Sequence, residues 1–136
     1  RDYYASRGLG DVYKRQGEQS RVLSCMCIYL AVPCSLMTSF NKVNGTFAGG
    51  SKDLCTHILR EEWGFDGAVV TDWGDMDIVV DGADAVAAGN DVVMPGGPPV
   101  IQQILKGLEE GRLTRQEMET AVGHLLSMVK RLGRLD

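Results

Sequence analysis

The stretch Gly64-Phe65-Asp66-Gly67-Ala68-Val69-Val70-Thr71-Asp72-Trp73-Gly74 decides the fold. A short apolar run, Ala68 to Thr71, stops at the carboxylate Asp72, and the indole of Trp73 follows. A run of this length bounded by glycines reads as a buried strand. Enzymes built on parallel α/β barrels set their catalytic side chains at the C-terminal ends of such strands. An acid at that point is therefore a candidate catalytic group, while the plain alternative is an N-cap for a following helix.

Outward from this strand the chain alternates strand and helix, which argues for parallel βα units. Upstream, residues 35–40 read as a strand, and 41–50 as a loop rich in Asn and Gly. Ser51 can cap a helix that buries Leu54, Cys55, Ile58 and Leu59 and ends before Gly64. Downstream, about 76–88 reads as a small-residue helix broken by Gly89. Asp91-Val92-Val93-Met94 reads as a third strand. Pro98 and Pro99 suit the first turn of a helix burying Val100, Ile101, Ile104, Leu105 and Leu108. The last helix opens on the capping box Thr114-Arg115-Gln116-Glu117 and repeats Met118, Ala121, Val122, Leu125, Leu126, Val129 and Leu132 at helical spacing. Its last turn carries Lys130 and Arg131 before Gly133.

The expected fold class is α/β: a fragment of a (β/α)8 barrel of about three βα units plus a terminal helix, since 136 residues fall short of the roughly 250 of a whole barrel. The loops after its strands share one face, and they deliver residues 40–44, 72–75 and 94–99 to it. Residues 1–16 show neither periodicity and read as a non-native, adapter-derived tail. Residues 17–34 read as an uncertain segment, and 35–136 as the partial barrel domain. Arg1 is not a native start, which leaves a signal peptide open.

Fourteen basic and eighteen acidic side chains, interspersed to a net charge of -4, make no basic stripe for nucleic acid and no cationic amphipathic helix for a membrane. A neutral or polar small substrate fits better. Cys25, Cys27, Cys34 and Cys55 lack zinc-site spacing and read as free thiols, which leans the localisation toward a reducing, cytoplasmic compartment. Asp66, Asp75, Asp77, Asp81, Asp84 and Asp91 do not match a calcium loop and read as a solvated rim or helix caps, so neither metal nor cofactor is expected. His57 and His124 read as structural.

With Met37-Thr38-Ser39-Phe40-Asn41-Lys42-Val43-Asn44-Gly45 and Ile58-Leu59-Arg60-Glu61-Glu62-Trp63 added to the Thr-Asp-Trp strand end, residues 35–136 resemble glycoside hydrolase family 3, on its β-glucosidase branch. The resemblance implies a retaining hydrolase of terminal β-glucosides or oligosaccharides. It makes Asp72 the nucleophile, sets Trp73 as an apolar wall for the sugar, and puts Met37 and Phe40 in the sugar subsite. The second of these is more often Tyr in the family, so Phe40 lacks a hydroxyl near the nucleophile. It also implies a general acid/base Glu from an α/β sandwich domain of the same chain, for which residues 35–136 hold no counterpart; the fragment alone is expected to be inactive.

A retaining enzyme sets its two carboxyl groups roughly 5 to 5.5 Å apart and attacks the anomeric carbon as a proton arrives from the other face. A strand end fixes a short Asp well for that task. Asn41, Lys42 and Asn44 are expected to hold their loop, Trp63 and Phe65 to pack, and Gly96-Gly97 to turn. β-Xylosidase or another exo-β-glycosidase is the alternative within the family. Of other classes, a non-catalytic remnant stands open. A phospho-acceptor domain fits poorly, because Asp72 and Met94-Pro95 are too far apart.

Overall fold

The computed structural model describes residues 33–74 and 79–133. The tail 1–16, most of the segment 17–34, Cys25, Cys27, Asp75 and Asp77 lie outside the described residues. The element order is β1 (Ser35–Met37), β2 (Lys42–Val43), β3 (Thr46–Phe47), a 3-10 turn Ala48–Gly50, helix α1 (Asp53–Glu62), β4 (Ala68–Val70), α2 (Gly82–Ala88), α3 (Pro98–Glu109) and α4 (Arg115–Arg131). β1 and β4 pair in parallel, with Leu36 opposite Val69 and Met37 opposite Val70. A parallel pair needs a crossover, and α1 supplies it. The class is α/β.

β1 is shorter than expected and stops at Met37, which leaves Phe40 in the connection beyond it. That connection is not an irregular loop: β2 and β3 form a hairpin, Lys42 opposite Phe47. Asn44 and Gly45 make its turn with φ of 53° and 86°, the two positive values that a two-residue hairpin turn demands and that Asn-Gly tolerates. α1 is wound with wide π-type turns, as in the 3.0 Å bond from Trp63 N–H to Ile58 C=O. Ser51 meets expectation, its hydroxyl accepting from the Leu54 amide at 3.3 Å.

The helix expected over 76–88 begins at Gly82 among the described residues, because Asp81 turns the chain and accepts the Ala83 amide at 2.9 Å. The third strand contracts to one parallel bridge between Val70 and Val92. Its amides explain why: Asp91 and Val92 both donate to the Val69 carbonyl, at 2.7 and 3.1 Å, and Met94 donates to a side chain, so no regular ladder continues.

The core lies where α2 meets α3 and α4. Ala83, Val86, Leu113 and Ala121 form one buried cluster and Ala85 with Val100 another. Small residues let the helices close: a Cβ added to Gly107 of α3 would sit 2.2 Å from the Ala83 Cβ. Pro98 and Pro99 open α3, and the capping box of α4 is present in full. The apolar stripes are only half covered, contrary to expectation. Ile101, Leu105, Val122, Leu126 and Leu132 are more than half exposed, because the described elements pack against one flank of α3 and α4. Among the described residues no helix is long and apolar enough to cross a membrane.

Candidate active site

Three chain segments end together. Thr38 N–H donates to the Val70 carbonyl at 2.9 Å and Thr71 N–H to the Val92 carbonyl at 2.9 Å, so β1, β4 and the Val92 segment point their C-terminal ends to one face. Asp72 leaves β4 there, half-buried, with its Oδ1 accepting the Trp73 amide at 2.7 Å. That bond turns the carboxylate back over its own backbone. Asp72 does not cap the described helix that follows, since Asp81 does. Trp73 is 66% exposed, Met37 67% and Phe40 39%. Large apolar side chains standing in solvent are unusual, and a cluster of them beside an acid suits a ligand's apolar face. All four candidates thus sit at the strand ends of this one face.

The neighbouring residues behave as loop holders. The Asn41 carbonyl accepts from Ala48 at 3.0 Å, its side chain accepts from the Ser39 hydroxyl, and Lys42 lies 4.4 Å above the Phe47 ring. Phe65 is buried. Among the described residues no group of three or more His, Cys, Asp or Glu is placed to hold a metal ion. Burial in the α1 region pushes the Cys55 thiol up to about 11, against thiolate chemistry.

Other polar side chains escaped sequence reasoning. Asn90 is fully buried; its amide donates to the Gly49 and Ala85 carbonyls at 2.7 and 2.8 Å, and its Oδ1 accepts from Thr38 at 3.3 Å. Asp91 is not part of a solvated rim: its carboxylate accepts from Arg60 at 2.6 Å and the Val69 amide at 2.7 Å, with the His124 ring at 2.9 Å. The only signal for these was polarity right after Gly89, which ends α2 at φ of 116°. A cavity of about 310 Å³ opens between α1 and α4, lined by Lys52, Thr56, Arg60, Asp91, Glu117 and His124. None of the four candidate residues lines it, and its polar groups are engaged with one another, so the chemistry is placed at the strand ends.

An α/β chain with an acid and exposed aromatic side chains at the C-terminal ends of parallel strands has the makings of a carbohydrate-active barrel. The family profile described as glycosyl hydrolase family 3 N terminal domain matches residues 31–128, and the chain belongs to that family. It is 40% identical over 104 residues to a β-glucosidase of Ruminococcus albus, an alignment covering 70% of this chain and 11% of that one. Probable β-glucosidase J of Emericella nidulans is 36% identical, with 80% and 13% covered. Among solved structures, β-glucosidase 3B of Thermotoga neapolitana in complex with glucose is similar at a TM-score of 0.69 and 30% identity, covering 78% of this chain and 16% of that one. The exo-1,3/1,4-β-glucanase ExoP of Pseudoalteromonas is similar at 0.63 and 34%, covering 74% and 14%. The chain spans little more than a tenth of the length of the curated relatives it matches.

Proposed function

We propose that residues 35–136 are the closing part of a (β/α)8 barrel, and that the complete protein hydrolyses terminal β-glucosides with retention of configuration. Asp72 is the nucleophile, and Trp73, Met37 and Phe40 line the sugar subsite. The observation that carries this reading is the position of Asp72 at the C-terminal end of β4, flanked by β1 and the Val92 segment, in a chain of this family.

The chemistry follows from that position. The carboxylate attacks the anomeric carbon, the glycosidic bond breaks as the leaving oxygen takes a proton, and water then releases the sugar from Asp72. The proton comes from a general acid outside residues 35–136, on an α/β sandwich domain of the same protein. Such an acid is worth about 10² to 10⁴ in rate. The 136 residues alone are accordingly inactive. Exo-acting β-glucan hydrolysis is the second reading, supported by the similarity to ExoP.

The test is Asp72→Ala in the complete protein, assayed on an aryl β-glucoside with and without azide. Activity should vanish and return with azide as the glucosyl azide of inverted configuration. Near-parental turnover in the variant would remove Asp72 from the role. A parallel panel of aryl β-xyloside and β-1,3- and β-1,4-glucans sorts the substrate class.

A further inference from the structure

The corner that carries Asp72 is gripped from both sides by a single residue on another segment. Met94 N–H donates to the Thr71 hydroxyl at 2.8 Å, and the Met94 carbonyl accepts from Gly74 N–H at 3.2 Å. The residues between those two anchor points are Asp72 and Trp73. The ladder beside them has already stopped: the last backbone bond from β4 is Thr71 N–H to Val92 C=O, at 2.9 Å. Beyond it, the Thr71 side chain stands in for the missing backbone acceptor. Thr71 is 1% exposed, so no water is at hand to replace that bond.

We infer that Thr71 is a positioning residue for Asp72, acting through Met94, and that its hydroxyl sets where the carboxylate stands relative to a sugar on the strand-end face. This rests on Asp72 being the nucleophile. Without the hydroxyl, the Met94 amide is left buried and unsatisfied, and the 94–97 segment is free to shift against β4. A shift of about 1 Å at a reacting centre can cost on the order of 10²-fold in rate. Ground-state binding of a sugar by exposed aromatic walls is far less sensitive to such a shift.

The experiment uses the complete protein and compares Thr71→Val, which keeps the shape, with Thr71→Ser, which keeps the hydroxyl. Four quantities are read per folded molecule: kcat/KM on an aryl β-glucoside, the rate of covalent trapping by a 2-deoxy-2-fluoro glucoside, glucose affinity and Tm. Thr71→Val should lower kcat/KM and the trapping rate by about 10- to 100-fold, with glucose affinity unchanged, and Thr71→Ser should restore both rates. Rates unaltered in Thr71→Val, or equal losses in Val and Ser, would overturn the inference. If Thr71→Val does not fold, Thr71→Cys replaces it, its sulfur being a weak acceptor. An intermediate trapping rate then supports the inference, and a parental one overturns it. Asp72→Ala in the same series separates the two readings: if it stays active, the nucleophile assignment fails, and if it is dead while Thr71→Val is parental, only the positioning role fails.

Discussion

The Arg60 guanidinium of α1 meets the Asp91 carboxylate at 2.6 Å, with side chains 12% and 2% exposed. The same Arg60 donates to the Gly67 carbonyl at 3.0 Å, and the same Asp91 accepts the Val69 amide. One buried ion pair therefore ties α1, the start of β4 and the chain leaving α2. Removing one partner of such a pair strands the other charge, at a cost of about 3–5 kcal/mol. Asp91→Ala should lose stability on that scale, and Arg60→Met with Asp91→Leu together should lose less than the sum of the single changes. Urea denaturation of the three variants checks it; a loss below about 1 kcal/mol in Asp91→Ala would remove the pair from the fold's essential contacts.

Glu117 links α4 to α1 through a 3.0 Å bond from Lys52. Burial pushes its carboxyl upward, but the Thr114 amide, the Thr114 hydroxyl and Lys52 outweigh burial and hold it below its ordinary 4.5. A carboxyl lower in the folded than in the unfolded state contributes stability that is present above the ordinary value and lost as pH falls through the folded one. Melting curves between neutral pH and pH 3 should therefore show an acid-side loss that Glu117→Gln reduces. Parallel curves for the two proteins would exclude Glu117 as its source.

Phe40 stands 39% exposed on the strand-end face. Truncation there opens no core cavity, so Phe40→Ala should lower turnover more than melting temperature, and Phe40→Tyr should be tolerated. Both quantities are measured on the complete protein. A large stability loss with unchanged rate per folded molecule would make Phe40 a packing residue.

Gly107→Ala sets two effects against each other. Alanine gains about 1 kcal/mol in helix propensity over glycine. Its Cβ would lie 2.2 Å from that of buried Ala83, and overpacking costs about 1–3 kcal/mol. The contact should win, and denaturation should show a less stable protein. A gain in stability would mean that α2 and α3 separate easily.

What could be read in advance was local. The Thr114–Glu117 capping box, the prolines opening α3 and the strand ending at Thr71 each depend on neighbours within a few residues, and each is found in place. The Asn44-Gly45 hairpin was equally local and was read as a loop, because a run of only two residues per strand shows no alternation. Burial failed differently. The helical spacing of Ile101, Leu105, Val122 and Leu126 marks apolar stripes but not which part of each stripe has a partner, and these four remain uncovered by the described elements.

By itself, the sequence determined the α/β class, the family and the candidate acid Asp72, because apolar runs, caps and a contiguous Thr-Asp-Trp are properties of neighbouring residues. Only the tertiary structure decided what lies across from them. Asp91 and Asp66 look alike in the sequence, yet Asp91 is sealed against Arg60 while Asp66 meets Arg131 in solvent. Asn90 carries no local mark of the bonds to Gly49 and Thr38 that bury it, and Thr71 none of its hold on Met94. The partners are 41, 52 and 23 residues away. A hydrogen bond of that span forms only where helix packing and strand register bring its ends together, and both are set by the whole fold.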